Sequence, residues 1–226
     1  MKILAELSNL IYPTRCYGCN SLGLSICTTC RHEWIPHYYR THVDALNVHS
    51  AIIYSPTASK IILAAKENGL QGADDLLVDA IVHVISRARL AKGFFTLVPV
   101  PSSKPSQRRR GRSFIVDLTH RISQQTGIAV NDCLQVSREL SDQSGLTRVA
   151  RYSNMYEAFS LKPGAILRGD AIVIDDVVTT GATLQEVARA LNSKGFRGFS
   201  SVCAVSACVA QPLRYGGGRH PIPVQG

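Results

Sequence analysis

Two adjacent carboxylates and a Thr/Gly-rich turn stand side by side in the stretch AIVIDDVVTTGATL, residues 171 to 184. A turn that leads into a helix presents unpaired N–H groups and the positive end of the helix dipole, which together attract a phosphate. Gly181 lets the backbone approach such a group closely. The predicted phosphate cradle consists of Thr179, Thr180, Gly181, Ala182 and Thr183.

The carboxylates of Asp175 and Asp176, expected where the preceding strand emerges into solvent, need a different target. They can accept hydrogen bonds from a sugar diol, or hold Mg²⁺ directly or through water. A ribose that carries a 5-phosphate meets both demands, with its hydroxyls toward the acids and its phosphate on the turn. The stretch therefore predicts two subsites, with Asp175 and Asp176 as catalytic and magnesium-binding residues.

Three other interpretations compete for this stretch. An acid at the end of a strand also holds Mg²⁺ in P-loop enzymes, but the sequence contains no Gly-Lys-Ser or Gly-Lys-Thr. A phosphoacceptor of the receiver type needs several further strands, and only 51 residues follow Asp175. The third is a structural turn with solvated acids, which the coincidence of several features at the right offsets disfavours.

Four cysteines have the spacing C-x2-C-x7-C-x2-C, namely Cys16, Cys19, Cys27 and Cys30. Each C-x-x-C turn can aim two thiolates at one point, and two such turns supply the four sulfur ligands of a tetrahedral zinc ion. The interval between the pairs is shorter than the usual spacing of about 15 to 20 residues. One C-x-x-C pair alone would favour redox chemistry, whereas two pairs favour zinc.

Strands and helices alternate from about residue 50 onward. Short apolar segments predict strands at 50–54, 94–100, 133–137, 171–174 and 200–207. Apolar residues at helical spacing predict helices at 55–69, 74–93 and 114–126. A capping box of Thr183 and Glu186 predicts the start of another helix. The alternation predicts an α/β fold with a doubly wound, mostly parallel sheet, whose ligands bind at the carboxyl ends of strands.

The remaining segments suggest how the chain is divided. Residues 3–11 resemble a short amphipathic helix, residues 152–158 another short helix, and residues 209–226 a disordered tail. The predicted divisions are an N-terminal helix and zinc-binding segment at 1–40, a main domain at 48–208 and the tail. Trp34 is expected to pack the zinc segment against the main domain.

Composition sets limits on function. The chain of 226 residues is 45% hydrophobic and carries a formal charge of +9, which favours anionic partners. Nine Lys and Arg but four acids lie between residues 102 and 151, and PSSKPSQRRRGRSF predicts a loop that is solvated or binds pyrophosphate or nucleic acid. No apolar run predicts a membrane span and no secretory signal is recognisable, so we expect a cytoplasmic protein with reduced thiols.

The stretch AIVIDDVVTTGATL resembles the signature of type I phosphoribosyltransferases, which bind 5-phosphoribosyl 1-pyrophosphate (PRPP). With the four cysteines and LVPVP at 97–101, the chain resembles the ComF/GntX group, associated with competence and DNA uptake in some bacteria. The resemblance implies a phosphoribosyltransferase-like domain at 48–208, with a pyrophosphate loop after VPVP and a mobile hood around 143–159. The residues that it implies for pyrophosphate and hood are Lys66, Ser102, Ser103, Arg108, Arg110, Gln143 and Arg151.

The sequence departs from the family pattern at two places. Residues 110–114 are Arg-Gly-Arg-Ser-Phe, where such proteins often have Arg-Gly-Phe-Asn-Gln, so the roles of that Asn and Gln do not carry over. Thr179 stands where purine-type relatives usually place an Asp as a base for the incoming ring nitrogen. This departure implies an acceptor that needs no such base, or no acceptor chemistry.

Three functional hypotheses remain open. The first is a transferase that moves phosphoribose from PRPP to an acceptor with the help of Mg²⁺, in nucleotide salvage or in DNA uptake. The second is a non-catalytic accessory of DNA uptake that grips single-stranded DNA and uses PRPP as a signal, although the four-cysteine segment offers few aromatic residues for stacking. The third is a zinc module that docks onto proteins of DNA uptake. A homodimer is compatible with all three.

Overall fold

The computed structural model describes residues 13–90, 93–138, 147–196, 198–208 and 211–212. The strands are β1 (Tyr39–Val43), β2 (Leu46–Ile53), β3 (Phe95–Pro99), β4 (Ala129–Val130), β5 (Leu134–Val136), β6 (Phe159–Leu161), β7 (Asp170–Val178), β8 (Phe199–Ser206) and β9 (Gln211–Pro212). The helices are α1 (Thr28–Glu33), α2 (Pro56–Lys66), α3 (Gln71–Arg87), α4 (Lys104–Arg110), α5 (Phe114–Thr126), α6 (Arg148–Met155) and α7 (Ala182–Asn192). Among these helices, none combines the length and apolarity that crossing a bilayer requires.

A seven-stranded sheet forms the centre of the fold, in the order β4-β3-β7-β8-β2-β1-β9. Strand β7 lies parallel to β3 on one side and to β8 on the other, and β2 lies parallel to β8. Strand β1 runs antiparallel to β2, and β9 antiparallel to β1. The prediction of an α/β fold with a mostly parallel sheet is confirmed.

Helices cover both faces of this sheet. Successive side chains of a strand point to opposite faces, so each face contributes to its own core cluster. Ile172 and Ile174 of β7 pack in one core cluster with buried residues of α2, α3 and α5. Ala171 and Val173 pack in a second cluster with α7 and with the antiparallel pair of β5 and β6. The sheet is therefore doubly wound, as the alternation of strands and helices predicts.

Three connections meet at the carboxyl edge of the parallel strands, because parallel neighbours end on the same side. Strand β2 leads through Ser55 into α2, β3 leads through residues 100–103 into α4, and β7 leads through residues 179–181 into α7. Each helix therefore starts at this edge. The residues predicted to bind ligand are concentrated on these three connections and on the helices that follow them.

The basic segment after β3 is helical, and the predicted loop at this position is wrong. Ser103 Oγ accepts a hydrogen bond from Ser106 N (3.4 Å), a proline occupies the first turn, and Gly111 ends α4 with a φ of 69°. These are ordinary start and stop signals for a helix, hidden in the sequence by the run of arginines. Helix α5 has the bounds that its periodicity predicts.

Other elements differ in position from the predictions. Strand β5 pairs with β6 outside the main sheet, and α6 begins at Arg148 rather than at residue 152. Strand β1 was not predicted and starts within the segment assigned to the zinc domain. The helix predicted at 3–11 lies outside the described residues, as does the tail apart from Gln211–Pro212, which forms β9.

Candidate active site and four-cysteine metal centre

The four predicted zinc ligands converge on one point. Their Sγ atoms all lie within 4.8 Å of one another, and a tetrahedral zinc ion with Zn–S bonds of about 2.3 Å needs sulfurs about 3.8 Å apart. Cys16 and Cys19 lie on one tight turn, in which Asn20 N donates to Cys16 O (2.8 Å). Cys27 caps α1 and Cys30 lies in its first turn. The four thiols can therefore hold a metal ion such as zinc.

The pKa values of these thiols are also typical of a site that holds a cation. Burial opposes the thiolate of Cys16, but N–H donors, that of Cys27 (3.3 Å) first among them, outweigh it and lower the pKa of Cys16 to about 6. Burial and the neighbouring thiols raise the pKa of Cys30. Four clustered thiols cannot all ionise without a cation between them, because each thiolate repels the next.

Trp34 joins the four-cysteine module (residues 16–34) to the main domain. Its indole is buried, and its Nε1 donates to Leu76 O of α3 (3.2 Å). Cys16, Cys30 and Trp34 belong to the same core cluster as the buried residues of α2 and α3. The packing role predicted for Trp34 is confirmed, and the metal centre is continuous with the main core.

Asp175 and Asp176 lie inside β7 rather than where the strand emerges into solvent. Pairing with β8 continues through Val178, and the exposed fractions of the two acids are 8% and 3%. Asp176 Oδ2 accepts a hydrogen bond from Lys66 Nζ at 2.7 Å. Asp175 Oδ1 accepts one from the backbone N–H of Asp176 at 2.9 Å. The expectation that the strand ends at these acids is wrong, because the strand extends two residues past them, to Val178.

Burial and neighbouring charges shift the pKa values of the two carboxyls in opposite directions. Burial first, and then the negative charge of Asp176, raise the pKa of Asp175 well above its ordinary value. Burial opposes the charge on Asp176 as well, but the ammonium of Lys66 outweighs it and lowers the pKa of Asp176. Burial likewise opposes the charge on Lys66, and Asp176 outweighs it, so the pKa of Lys66 is raised. The site thus holds an ion pair beside an acid that keeps its proton to higher pH.

We expect Asp175→Asn to flatten the pH dependence of stability. The folded chain holds a proton on Asp175 at pH values where the unfolded chain, with a pKa of about 3.9, has lost it, so the free energy of unfolding falls as pH rises from about 4 through the raised pKa. The amide cannot ionise, so the melting temperature of the variant should rise relative to that of the wild type as pH increases. Thermal melts in magnesium-free buffer from about pH 5 to about pH 8 measure this.

Asp176 does not disturb that comparison. Because its pKa is lowered, its contribution to stability is lost only when pH falls through its folded pKa, below the range of the melts. A difference in melting temperature that stays constant from pH 5 to 8 would contradict the raised pKa of Asp175.

The turn after β7 has the form of an anion cradle. Gly181 is the N-cap of α7 with a φ of 79°, and as a glycine it has no side chain with which to cap the helix. Ala182 N donates to Thr180 Oγ1 at 3.4 Å, a long hydrogen bond. A Cβ at position 181 would clash with Val43 of β1, so glycine is required both by the backbone and by packing. The first N–H groups of a helix have no partner within it, which leaves them available to an anion.

The predicted capping box of Thr183 and Glu186 is wrong. Helix α7 begins at Ala182, and the side chain of Glu186 turns to another neighbour. Its Oε1 accepts a hydrogen bond from Phe159 N of β6 (3.0 Å) and pairs with Arg189 (2.7 Å). Glu186 therefore holds β6 against α7 and leaves the first turn of the helix without a side-chain cap.

Lys66 and Arg110, both implied for pyrophosphate, lie at the same edge of the sheet. Lys66 is the last residue of α2 and reaches across to Asp176. Arg110 pairs with Glu67 at 2.7 Å, and the neighbouring Arg109 pairs with the same carboxylate at 3.2 Å. Both predicted cations are therefore engaged with acids of the chain itself.

The other residues implied for pyrophosphate and hood are more dispersed. Ser103 caps α4, and Ser102 O accepts a hydrogen bond from Gln107 Nε2 (2.9 Å). Arg108 is exposed on α4. Arg151 lies in α6, and Gln143 lies outside the described residues.

Sequence reasoning missed the partners of the basic segment. Arg112 donates to both carboxylate oxygens of Asp74 (2.6 and 2.8 Å) and to Ala65 O (2.7 Å), and its guanidinium lies 4.9 Å from the centroid of the Phe114 ring. It ties the loop after α4 to the end of α2 and the start of α3. The only hint in the sequence was the departure from the family pattern at Arg112, because its partners are 38 and 47 residues away.

Solved structures that are similar to this chain include three enzymes. An orotate phosphoribosyltransferase from Aeropyrum pernix has 12% sequence identity, with 78% of each chain covered and a TM-score of 0.39. An adenine phosphoribosyl transferase from Trypanosoma brucei has 12% identity, with 88% of this chain and 91% of that chain covered and a TM-score of 0.39. The allosteric regulatory enzyme of purine biosynthesis has 16% identity, with 48% of this chain and 21% of that chain covered and a TM-score of 0.31.

No family model matches this chain, and no curated protein matches it. Its ligands are therefore inferred below from its own residues.

Proposed function

We propose that the protein binds PRPP together with Mg²⁺ and transfers the phosphoribosyl group to a nucleophilic acceptor, with release of pyrophosphate. One observation carries this proposal. The buried acid pair Asp175–Asp176 and the uncapped first turn of α7 follow each other directly, at the carboxyl edge of a parallel sheet. This edge is where such sheets bind ligands. A ribose 5-phosphate joins the two chemistries, since its diol suits carboxylates and its phosphate suits N–H groups.

The 5-phosphate is assigned to residues 179–183. The N–H groups of the first turn of α7 and the positive end of its dipole favour a dianion there. The hydroxyls of Thr180 and Thr183 add donors beside these amides, and Gly181 leaves the backbone open to close approach.

The acid pair suits the ribose diol and a magnesium ion. Asp176 already accepts a cation, the ammonium of Lys66 at 2.7 Å, so its surroundings favour positive charge. Asp175 beside it offers further oxygens, the ligands that Mg²⁺ prefers together with water, and a bound cation would favour loss of the proton that burial keeps on it. The residues present therefore fit the ion. When bound, it would neutralise negative charge on the pyrophosphate as that group leaves.

The transfer itself requires charge stabilisation more than covalent help. A lone pair of the acceptor forms the new bond to C1 of the ribose while the bond from C1 to the pyrophosphate oxygen breaks, and its electron pair leaves with pyrophosphate. The carboxylate of Asp176 stabilises the positive charge that develops on the sugar, and Lys66 faces the departing anion. Thr179 cannot act as a base, so we infer an acceptor that loses its proton without one.

The arginine-rich segment gives little support to a grip on single-stranded DNA. Arg109 and Arg110 are paired with Glu67, and Arg112 with Asp74, so much of their charge is compensated. The competence and DNA-uptake setting therefore rests on the sequence resemblance alone.

We also propose that the four-cysteine module holds a structural zinc ion. All four ligands are sulfur, and no position is left open for a substrate in a closed site of this kind. Clustered cysteines that bind a metal and do not form disulfides are typical of a reducing compartment, so we propose a cytoplasmic location.

Calorimetry of the zinc-loaded protein with PRPP tests the binding proposal. We expect saturable heat with Mg²⁺ present and much weaker binding without it. The absence of heat under both conditions overturns the proposal. A pyrophosphate-release assay with a panel of bases and amines tests transfer, and binding without turnover across the panel would leave a PRPP-binding protein that is not a transferase.

A further inference from the structure

Lys66 occupies the position next to Asp176 where a bound cation would lie. Its Nζ lies 2.7 Å from Asp176 Oδ2, and the two residues are 110 positions apart in the chain. The Asp176 side chain is buried, whereas the Lys66 side chain is 27% exposed. The acid is therefore fixed in the sheet, and the lysine is the partner that solvent can reach.

The surrounding residues hold the base of Lys66 and leave its head free to move. Arg112 anchors the preceding carbonyl, Ala65 O, at 2.7 Å, while the Lys66 Nζ lies 6.0 Å from the centroid of the Phe114 ring. Beyond this anchored end, four flexible methylene groups carry the ammonium. Lys66 can thus exchange partners without moving α2.

We propose that Lys66 is an exchangeable counter-ion, which occupies Asp176 in the ligand-free protein and moves to the anionic group of the ligand when a divalent cation takes its place. This inference rests on the proposed function and adds an order to its binding steps. A divalent cation alone must displace an ammonium from a buried carboxylate and leave it with no new partner. A cation that arrives with pyrophosphate supplies that partner.

The charges around Lys66 explain why an anion must accompany the metal. The acids that attract Lys66 are Asp176 and Asp175, while Arg110 repels it. Glu67, next in the chain, is already shared by Arg109 and Arg110. Among the described residues, the acids closest to Lys66 are thus either in the site itself or compensated by arginine. Metal and anion are consequently expected to bind with positive cooperativity.

Binding of Mn²⁺, measured by electron paramagnetic resonance of the free ion, tests the exchange without any need for turnover. The zinc-loaded wild type is compared with Lys66→Met and with Lys60→Met, which removes the same charge from an exposed position on the same helix. We expect Lys66→Met to bind Mn²⁺ alone at least about tenfold more tightly than the wild type, within the range typical of coupled sites. Lys60→Met should match the wild type, and adding Asp176→Asn to Lys66→Met should abolish the gain.

A second arm measures cooperativity in the wild type. Pyrophosphate should raise Mn²⁺ affinity in the wild type and should lose this effect in Lys66→Met, after correction with a protein-free sample for the complex that the two form in solution. Unchanged Mn²⁺ affinity in Lys66→Met, or equal affinity with and without pyrophosphate in the wild type, overturns the proposal. Should Lys66→Met fail to fold, Lys66→Gln keeps a hydrogen-bond donor without the charge and takes its place.

The outcome is separable from that of the proposed function. If PRPP gives no heat in calorimetry while Lys66→Met still gains Mn²⁺ affinity, the exchange stands and the ligand is a different anion. If PRPP binds with Mg²⁺ while the affinity for Mn²⁺ alone is unchanged in Lys66→Met, the site stands and Lys66 is not its counter-ion.

Discussion

Removing the metal from the four-cysteine module is expected to lower the melting temperature of the chain by more than about 10 °C. Structural zinc contributes apparent binding energies of about 10 to 16 kcal/mol in small zinc domains. In a chain of this size each kcal/mol lost shifts the melting temperature by about 2 to 4 °C, so even half of that energy suffices. The effect should reach the main domain because Cys16, Cys30 and Trp34 share one core cluster with α2 and α3.

A pair of matched variants separates loss of metal from loss of a buried thiol. Cys30 and Cys133 are each 2% exposed, but only Cys30 belongs to the cluster of four sulfurs. We expect Cys30→Ser to lack stoichiometric zinc by elemental analysis and to melt early. Cys133→Ser should keep one zinc per chain and lose only local packing. A wild type that contains no zinc, or a melting temperature that a chelator leaves unchanged, would contradict a structural metal.

A further variant, Cys27→Ser, bears on the docking hypothesis. If the module serves only to clamp a partner, Cys27→Ser should change pull-down partners while the main domain melts at its usual temperature. The burial of Trp34 against Leu76 O predicts the opposite, since it makes the module part of the fold.

Local patterns predicted the parts of the site that are continuous in sequence. The four apolar residues before Asp175 specified a buried strand, and Gly181 specified a turn at its end. The paired C-x-x-C motifs specified a cluster of four thiols that could hold a metal ion, because two short turns suffice to bring their sulfurs together. In each case the physical cause lies within a few residues.

Contacts between distant segments escaped prediction. Lys66 meets Asp176 across 110 residues, and Arg112 meets Asp74 across 38, so no periodicity or spacing connects them. Glu186 was misassigned for a related reason, since a capping box and a tertiary hydrogen bond from Phe159 N, 27 residues away, compete for the same carboxylate. The strand end at the acids was misjudged because β8 supplies hydrogen bonds beyond the apolar run.

Asp176→Asn is expected to weaken magnesium-dependent PRPP binding and any pyrophosphate release by about 10² to 10³-fold, the loss typical of one preorganised charge contact. The amide has nearly the same shape as the carboxylate but carries no charge to hold a cation or to stabilise a developing positive charge on the sugar. It also leaves the ammonium of Lys66 without its partner at 2.7 Å. The 5-phosphate subsite at residues 179–183 should be unaffected, so weak, magnesium-independent binding of ribose 5-phosphate should persist.

The matched control is the exposed pair of Asp132 and Lys162, which has the same 2.7 Å separation. Exposed pairs contribute about 0 to 1 kcal/mol to stability. This pair flanks β5 and β6, outside the main sheet, so we expect Asp132→Asn to leave PRPP affinity unchanged. Calorimetry and pyrophosphate release on both variants decide between a functional and a structural acid pair. If Asp176→Asn binds PRPP with Mg²⁺ as the wild type does, the acids are buried merely to complete an ion pair with α2.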